Sequence, residues 1–252
     1  MPMLTLQLAP QFLVEIANGV LQFFHDNAGL SWGMSIIALT VCTRALLIPL
    51  TYKQLKGMRA LQALQPQIKE LQAKYKNDKQ RMQQEMMRFY KENKVNPFAS
   101  CIPLIAQLPV FITLFYVLRY ELPADIGCKA GECGSEASFL FIPDLTAKAT
   151  GGVLITLLIL YVGTQLISGM VMSVTADKNQ RMMMFVLPLI FVPFVISFPA
   201  GLVLYWITTN IWTIGQQYTI QRIIPAPHVA TAAEVAAAKP PPPPPKKRKK
   251  RR

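Results

Sequence analysis

Residues 30–52 read LSWGMSIIALTVCTRALLIPLTY, and Arg44 is their one charged residue. A helix needs about 17–25 predominantly apolar residues to cross a bilayer. The length and composition of this stretch therefore predict a membrane-spanning helix with an arginine inside it.

Four more apolar runs follow, at residues 97–119, 151–174, 182–198 and 200–222. The whole chain is 52% hydrophobic and 15% charged, whereas soluble domains average about 25% charged residues. This composition argues against an ordinary cytosolic enzyme. Only helices or closed barrels satisfy the backbone in lipid, and the runs lack the alternation of barrel strands. We predict an all-α polytopic membrane protein with five transmembrane helices.

The net charge of +13 is unevenly distributed among the segments between these runs. Segment 53–96 carries eleven basic against four acidic residues, whereas 120–150 carries two against five. Segment 175–181 contains Lys178 and Arg181, and nine basic residues follow from Arg222 onward. Because basic loops stay in the cytoplasm, we place residues 1–29 and 120–150 in the periplasm. Segments 53–96, 175–181 and 223–252 are then cytoplasmic.

Residues 10–26 have apolar side chains at helical spacing, among them Phe12, Ile16 and Val20, with Glu15 and Asp26 on the other face. This pattern predicts an amphipathic helix lying in the outer membrane interface. No basic region or cleavage site precedes it, so it is not a signal peptide. An external N-terminus without such a signal suggests that preceding sequence has been removed.

The four cysteines divide by position. Cys42 and Cys101 fall within predicted spans and are interpreted as small apolar residues. Cys128 and Cys133 share the predicted periplasmic loop, where they are either disulfide-bonded or free. That loop offers too few ligands for a metal site. We predict neither a metal nor a cofactor.

Arg44 lies twelve residues after Trp32 and eight before Tyr52, which at about 1.5 Å per residue puts it in the inner half of the hydrocarbon layer. An uncompensated arginine there costs about 2.5–3.5 kcal/mol or more. None of the five predicted spans contains Asp or Glu, so a buried ion pair within them is excluded. Two alternatives remain: a water-filled cavity open to the cytoplasm, or a side chain that snorkels to the inner surface.

Further polar side chains within the spans are candidates for the same hydrophilic groove: Thr40, Thr43, Gln107, Thr208, Thr209, Asn210 and Gln216. Each alone is typical of contacts between helices. Together with an unpaired arginine they favour a groove that attracts an acidic peptide segment. A proton relay is disfavoured because the spans contain no carboxylate.

Residues 53–96 show apolar side chains at every third or fourth position, first from Leu55 to Tyr75 and then from Met82 to Tyr90. Asn77 or Asp78 can cap the second helix. We predict a cytoplasmic helical hairpin. Its apolar faces either bury one another or form a mobile, methionine-bearing surface for apolar peptides.

The tail combines Pro240 to Pro245 with seven consecutive cations: Lys246, Lys247, Arg248, Lys249, Lys250, Arg251 and Arg252. Polyproline is a stiff extended spacer. Two partners fit the projected charges, ribosomal RNA and anionic lipids, and the spacer favours the RNA.

Several strings resemble YidC-type membrane protein insertases: WGMSII from Trp32, TRALLIPLT from Thr43, LQP from Leu64, QEMM from Gln84, NP at Asn96, QLPVF from Gln107 and FPAGLVLYW from Phe198. They occur in the family's order over about residues 10–224. The resemblance implies an insertase and chaperone of the bacterial inner membrane, with five core helices around a groove that opens to the cytoplasm and to lipid.

By position, Arg44 resembles the family's groove arginine, and Thr40, Gln107 and Asn210 fall among its groove residues. Leu108, Phe111, Tyr205 and Trp206 correspond to an apolar slide for the nascent helix. The resemblance further implies nascent membrane proteins as substrates, the ribosome and the Sec translocon as partners, and activity as a monomer. Gram-negative members carry an extra N-terminal span and a periplasmic domain that this chain does not include.

Two other functions remain as alternatives, a small-solute channel or transporter and a receptor that only anchors ribosomes. The spans show no obvious inverted repeat and no intramembrane acid, which disfavours a transporter. The sequence has no G-x-x-x-x-G-K-[ST] string, so it predicts no nucleotide hydrolysis. We expect a protein that is not an enzyme.

Overall fold

The computed structural model describes residues 10–96, 102–173 and 178–223. The described residues separate into two compact units, residues 10–58 with 102–173 and 178–223, and residues 59–96. The described part is helical, and apart from two isolated bridges it contains no β-structure. The basic tail, Cys101 and residues 175–177 of the predicted 175–181 loop lie outside the described residues, and residues 178–181 belong to the first turn of a helix.

The first unit begins with α1 (Gln11–Gln22), which continues into a π-helix (Phe23–Asn27). The helix α2 (Trp32–Leu46) follows, and its first turn is capped by the Ser31 hydroxyl, which accepts a hydrogen bond from Met34 N at 3.4 Å. His25 connects the two elements, because its ring stacks on the Trp32 indole with centroids 3.8 Å apart.

The predicted span 30–52 is divided in the structure. The helix α2 ends at Leu46, α3 (Ile48–Ala63) begins two residues later, and the two are bent by 55°. Pro49 lies in the first turn of α3. Because proline lacks a backbone N–H and clashes with the preceding turn, it ends or kinks a helix, which accounts for a break at this point.

The remaining helices of the first unit are α6 (Ile102–Tyr116), a π-helix (Val117–Glu121), α7 (Leu122–Ile126), α8 (Gly151–Ser173), α9 (Lys178–Val195) and α10 (Ala200–Ile223). The helices α6, α8, α9 and α10 overlap the other four predicted spans, whereas α7 lies within the predicted periplasmic loop 120–150. Among the described residues, Gly151–Val171 is long and apolar enough to cross a membrane, and the bent pair formed by α2 and α3 is a second candidate. That all five runs cross a membrane stays a prediction.

The core of this unit forms around α10, which packs against α2 and α8, while α9 packs on α8. Its fully buried side chains include Ile36, Leu118, Leu145, Leu157 and Leu202. Large apolar side chains point outward along α8 and α9, among them Ile159 and Phe194, which are 66% and 59% exposed. Exposed apolar side chains of this kind are typical of a surface that contacts lipid.

The loop after α7 is a compact cap held together by Asp144. Its carboxylate accepts hydrogen bonds from Cys133 N at 2.9 Å, Gly134 N at 3.1 Å, Thr146 N at 2.7 Å and the Thr146 hydroxyl at 2.6 Å. The structure joins Cys128 to Cys133 by a disulfide.

The cap is fastened to two helices. At the start of α10, Ala200 N donates to Ala147 O at 2.8 Å and Gly201 N donates to Leu145 O at 2.9 Å. On α2, Gly33 lies directly against the Phe139 side chain, so closely that a Cβ atom at this position would overlap the ring. The loop therefore covers the end of the bundle where α2 and α10 begin.

The second unit is a helical hairpin formed by the end of α3, α4 (Gln65–Lys74) and α5 (Lys79–Glu92). Pro66 occupies the first turn of α4, and Asp78 caps α5 by accepting a hydrogen bond from Arg81 N at 3.0 Å. Ile68 is buried, whereas Met82 and Met86 are half-buried and Met87 is 47% exposed.

Candidate polar groove

Three side chains from three different helices form a continuous hydrogen-bonded chain. Arg44 of α2 donates from Nη2 to Gln107 Oε1 of α6 at 2.8 Å, and Gln107 Nε2 donates to the Tyr205 hydroxyl of α10. In the described part of the chain, no carboxylate lies within ion-pair distance of the guanidinium. The arginine is thus oriented by neutral groups and its positive charge is not cancelled.

The two threonines predicted beside Arg44 turn toward their own helix. The Thr40 hydroxyl donates to Ile36 O at 2.7 Å, and the Thr43 hydroxyl donates to Thr40 O at 2.9 Å. Thr40 is 1% exposed, whereas Thr43 is half-buried. Their hydroxyls are satisfied locally, so these residues present mainly methyl groups to their surroundings.

The predicted groove residues of α10 point in different directions. Asn210 Nδ2 donates to the Thr164 hydroxyl of α8 at 3.2 Å, and its side chain is buried at that helix contact. Thr209 is buried, and its side chain lies next to the Tyr205 hydroxyl. Gln216 accepts a hydrogen bond from Trp212 Nε1 at 3.1 Å. The structure therefore does not bring Asn210 to Arg44.

Helical geometry explains this division. At about 3.6 residues per turn, positions 205, 209, 212 and 216 follow one face of α10, and position 210 is turned by about 100° from 209. Tyr205 belongs to the first face. This spacing is visible in the sequence and groups Tyr205 with Thr209 and Gln216. The interpretation of Tyr205 as a slide residue stays a prediction.

Of the four predicted slide residues, Leu108 is 51% exposed and Tyr205 is 2% exposed. Phe111 and Trp206 are half-buried and stacked on each other, with ring centroids 5.1 Å apart. Phe198 contacts both rings edge-on. Tyr205 thus lies inside the unit in this conformation, and the aromatic cluster of Phe111, Phe198 and Trp206 joins α6 to the start of α10.

Two cavities adjoin the helices that carry these polar residues. One of 480 Å³ is lined by α1, α2, α6 and Tyr205, and the other, of 580 Å³, lies between the start of α3 and the second half of α10. Gln216 lines the second cavity, and its Nε2 has no partner among the described residues. That amide nitrogen is buried.

The chain resembles known proteins over most of its length. The sequence model of the family described as 60Kd inner membrane protein matches residues 23–227. The membrane protein insertase YidC of Streptomyces avermitilis is 35% identical over 232 residues, a match that covers 81% of this chain and 54% of that protein. The insertase of the same name from Geobacter sulfurreducens is 38% identical over 211 residues, covering 81% and 36%.

A solved structure, the crystal structure of an active YidC insertase with its first transmembrane domain resolved, has a similar fold. The TM-score is 0.63 at 26% sequence identity, and the match covers 83% of this chain and 47% of that one. This chain therefore spans about half or less of the length of these relatives.

Proposed function

The chain belongs to the 60Kd inner membrane protein family, and on this premise we propose that it is a membrane protein insertase of the bacterial inner membrane. The observation that carries the proposal is the Arg44 guanidinium, held by the neutral Gln107 without a carboxylate in the described residues. A fixed, uncancelled charge between helices attracts an acidic segment of another chain.

We propose the following mechanism. The acidic tail of a newly made membrane protein enters the groove from the cytoplasm and pairs with Arg44. A hydrated groove shortens the apolar barrier, so fewer polar groups have to cross hydrocarbon. The apolar span of the substrate then moves sideways into lipid, and its burial, at about 25 cal/mol per Å², drives the step.

The groove we propose is closed at the periplasmic end and open to the cytoplasm. The disulfide-bonded cap supports this orientation, because it fastens the starts of α2 and α10 and belongs to the segment with an excess of acidic residues. In this topology the N-terminus is outside, α1 lies in the outer interface and the helical hairpin is cytoplasmic. Leu108 and Phe111, with the adjoining Trp206, form the surface along which the substrate leaves.

The partners we propose are nascent membrane proteins, the ribosome through residues 246–252, the Sec translocon and anionic lipids, with a monomer as the active form. The relatives support the substrate class, because they are named membrane protein insertases. The run of seven cations at 246–252 supports a polyanionic partner.

The decisive experiment reconstitutes the full chain in liposomes and measures protease protection of single-span substrates whose tails differ only in charge. Arg44→Ala should reduce insertion of the acidic-tailed substrate strongly and of the neutral one little. Arg119→Ala, which changes an exposed arginine after α6, is the matched control. Equal loss for both tails would contradict the charge mechanism, and wild-type liposomes that insert neither substrate would contradict the insertase function.

Two further measurements test the alternative functions, a channel and a receptor that only anchors ribosomes. With Cys42 and Cys101 replaced, a cysteine at Thr43 should react with a polar maleimide from the cytoplasmic side alone. Reaction from both sides would favour a channel. A protein that binds ribosomes but inserts no substrate would be a receptor.

A further inference from the structure

The 480 Å³ cavity has a chemistry unlike that of the polar chain beside it. None of the described residues that line it is charged. Its walls are apolar side chains of α1, α2 and α6, together with the hydroxyl-bearing residues Thr40, Thr43, Thr113 and Tyr205. Its volume falls within the range of about 300–1,000 Å³ that is typical of small-ligand sites.

Most of the lining hydroxyls are already engaged. Thr40 and Thr43 donate to carbonyls of α2, and the Tyr205 hydroxyl accepts from Gln107. Thr113 is 6% exposed, and its hydroxyl has no partner among the described residues. An extended peptide would leave its backbone amides unsatisfied in such a space, which is costly. A hydrocarbon needs no hydrogen-bond partner.

The cavity opens to the outside of the bundle. Its lining residues Ile16 and Leu46 are 60% and 80% exposed, and Cys42 is also exposed. For a member of a family of inner membrane proteins, the surroundings at this depth are lipid tails. Along α2 the lining runs from Leu39 to Leu46, which corresponds to about 10 Å at 1.5 Å per residue, so the slot follows the helix axis.

We propose that this cavity binds one acyl chain of a membrane phospholipid, selected by its hydrocarbon and not by its headgroup. The amphipathic helix α1 forms one wall through Leu13, Ala17 and Val20. The bound chain packs against Tyr205, whose hydroxyl accepts the hydrogen bond from Gln107. The site depends on the membrane location of the family and not on the insertase activity.

The test uses the full-length protein in vesicles of phosphatidylcholine that contain a phospholipid with a diazirine on one acyl chain. After illumination, cross-linked peptides are mapped. Cross-links should concentrate in residues 13–20, 39–46 and 109–114. Ala17→Trp, which fills the cavity, should lower them at least about fivefold, the change that roughly one kcal/mol of binding gives. Ile155→Trp on the exposed face of α8 should leave them unchanged.

A second measurement avoids a bulky substitution. In a Cys101→Ser protein, the exposed Cys42 of the folded chain is alkylated with N-cyclohexylmaleimide. The adduct should block the opening of the cavity and lower the cross-linking as Ala17→Trp does. Equal cross-linking with and without the adduct, or cross-links spread evenly over α8 and α9, would overturn the proposal.

Thr113→Val distinguishes a hydrocarbon from a polar occupant. Removing the unpartnered hydroxyl should leave cross-linking unchanged or raise it, because the lining becomes more apolar. A several-fold fall would show that the hydroxyl bonds to a polar part of the bound lipid, such as an ester carbonyl, and would overturn selection by the hydrocarbon. Both readouts measure lipid contact and not insertion, so they are independent of the proposed function.

Discussion

The guanidinium of Arg44 donates to the side-chain oxygen of Gln107 at 2.8 Å, across the contact between α2 and α6. The amide orients the guanidinium without neutralising its charge. A carboxylate at the same position would orient the guanidinium and would also neutralise its charge. The identity of this partner therefore decides whether the groove keeps its positive charge.

Gln107→Glu should abolish the preference for acidic substrates. The new carboxylate would pair with Arg44 and cancel its attraction for a tail. We expect insertion of an acidic-tailed substrate to fall about tenfold, the factor that roughly 1.4 kcal/mol of lost attraction produces. Gln107→Leu is the control, since it removes the hydrogen bond but leaves the charge. If the two variants insert this substrate equally well, the charge on Arg44 is not what the tail recognises.

Tyr205→Phe removes the hydroxyl to which Gln107 donates and keeps the ring. The loss of one buried hydrogen bond costs about 0.5–1.5 kcal/mol, so the Tm in detergent should fall by about 2–4 °C for each kcal/mol lost. Tyr218→Phe, at an exposed position of the same helix, is the control. If the Tyr205→Phe protein has the same Tm as the wild type, this hydrogen bond does not stabilise the folded unit.

Gly33→Ala should loosen the cap, because the added methyl group would overlap the Phe139 ring. Overpacking of this kind costs about 1–3 kcal/mol. The matched control is Gly163→Ala in α8, where a Cβ atom meets nothing within 4 Å and the helix gains up to about 1 kcal/mol. The Tm should therefore fall in the Gly33→Ala protein and rise in the Gly163→Ala protein. A change of Tm in the same direction in both variants would refute the close approach of Gly33 to Phe139.

Asp144→Ala should destabilise the cap by more than about 2 kcal/mol, since it leaves three backbone amides and a hydroxyl without their acceptor. The measurement is alkylation of Cys128 and Cys133 after mild reduction, which should become faster. Glu132→Ala, an exposed residue of the same loop, should react like the wild type. Unchanged alkylation of the Asp144 variant would mean that the carboxylate does not organise the cap.

Replacing residues 246–252 by glutamines, with Pro240 to Pro245 kept, should lower ribosome binding but preserve most of the insertion activity. Contacts of cations with phosphates release counterions, so binding of the intact chain should weaken steeply with salt and that of the variant much less. Co-sedimentation at several salt concentrations measures this. A variant that still binds ribosomes but no longer binds anionic vesicles would identify lipid as the partner of the tail.

Much of the architecture was predictable, because the length and composition of the apolar runs are compatible with only a few kinds of secondary structure. The all-helical fold, the helix after Asp78 and a contact region that includes Arg44 and Gln107 follow from such patterns. The division at Leu47 was not predicted, although Pro49 is a local signal for it. The contact of Asn210 with Thr164 was also missed, because helix rotation depends on which neighbours α10 packs against, and one sequence does not provide that information.

The bend between α2 and α3 has an electrostatic consequence. Arg44 lies in the last turn of α2, where the carbonyl ends of the aligned peptide dipoles amount to about half a negative charge. Had the helix run straight on through Tyr52, its negative pole would lie two turns away. By ending the helix beside the guanidinium, the chain places the last carbonyl groups of α2 next to the cation, and the positive start of α3, turned away by 55°, offsets their partial negative charge only in part. The backbone therefore lowers the cost of the cation without neutralising it.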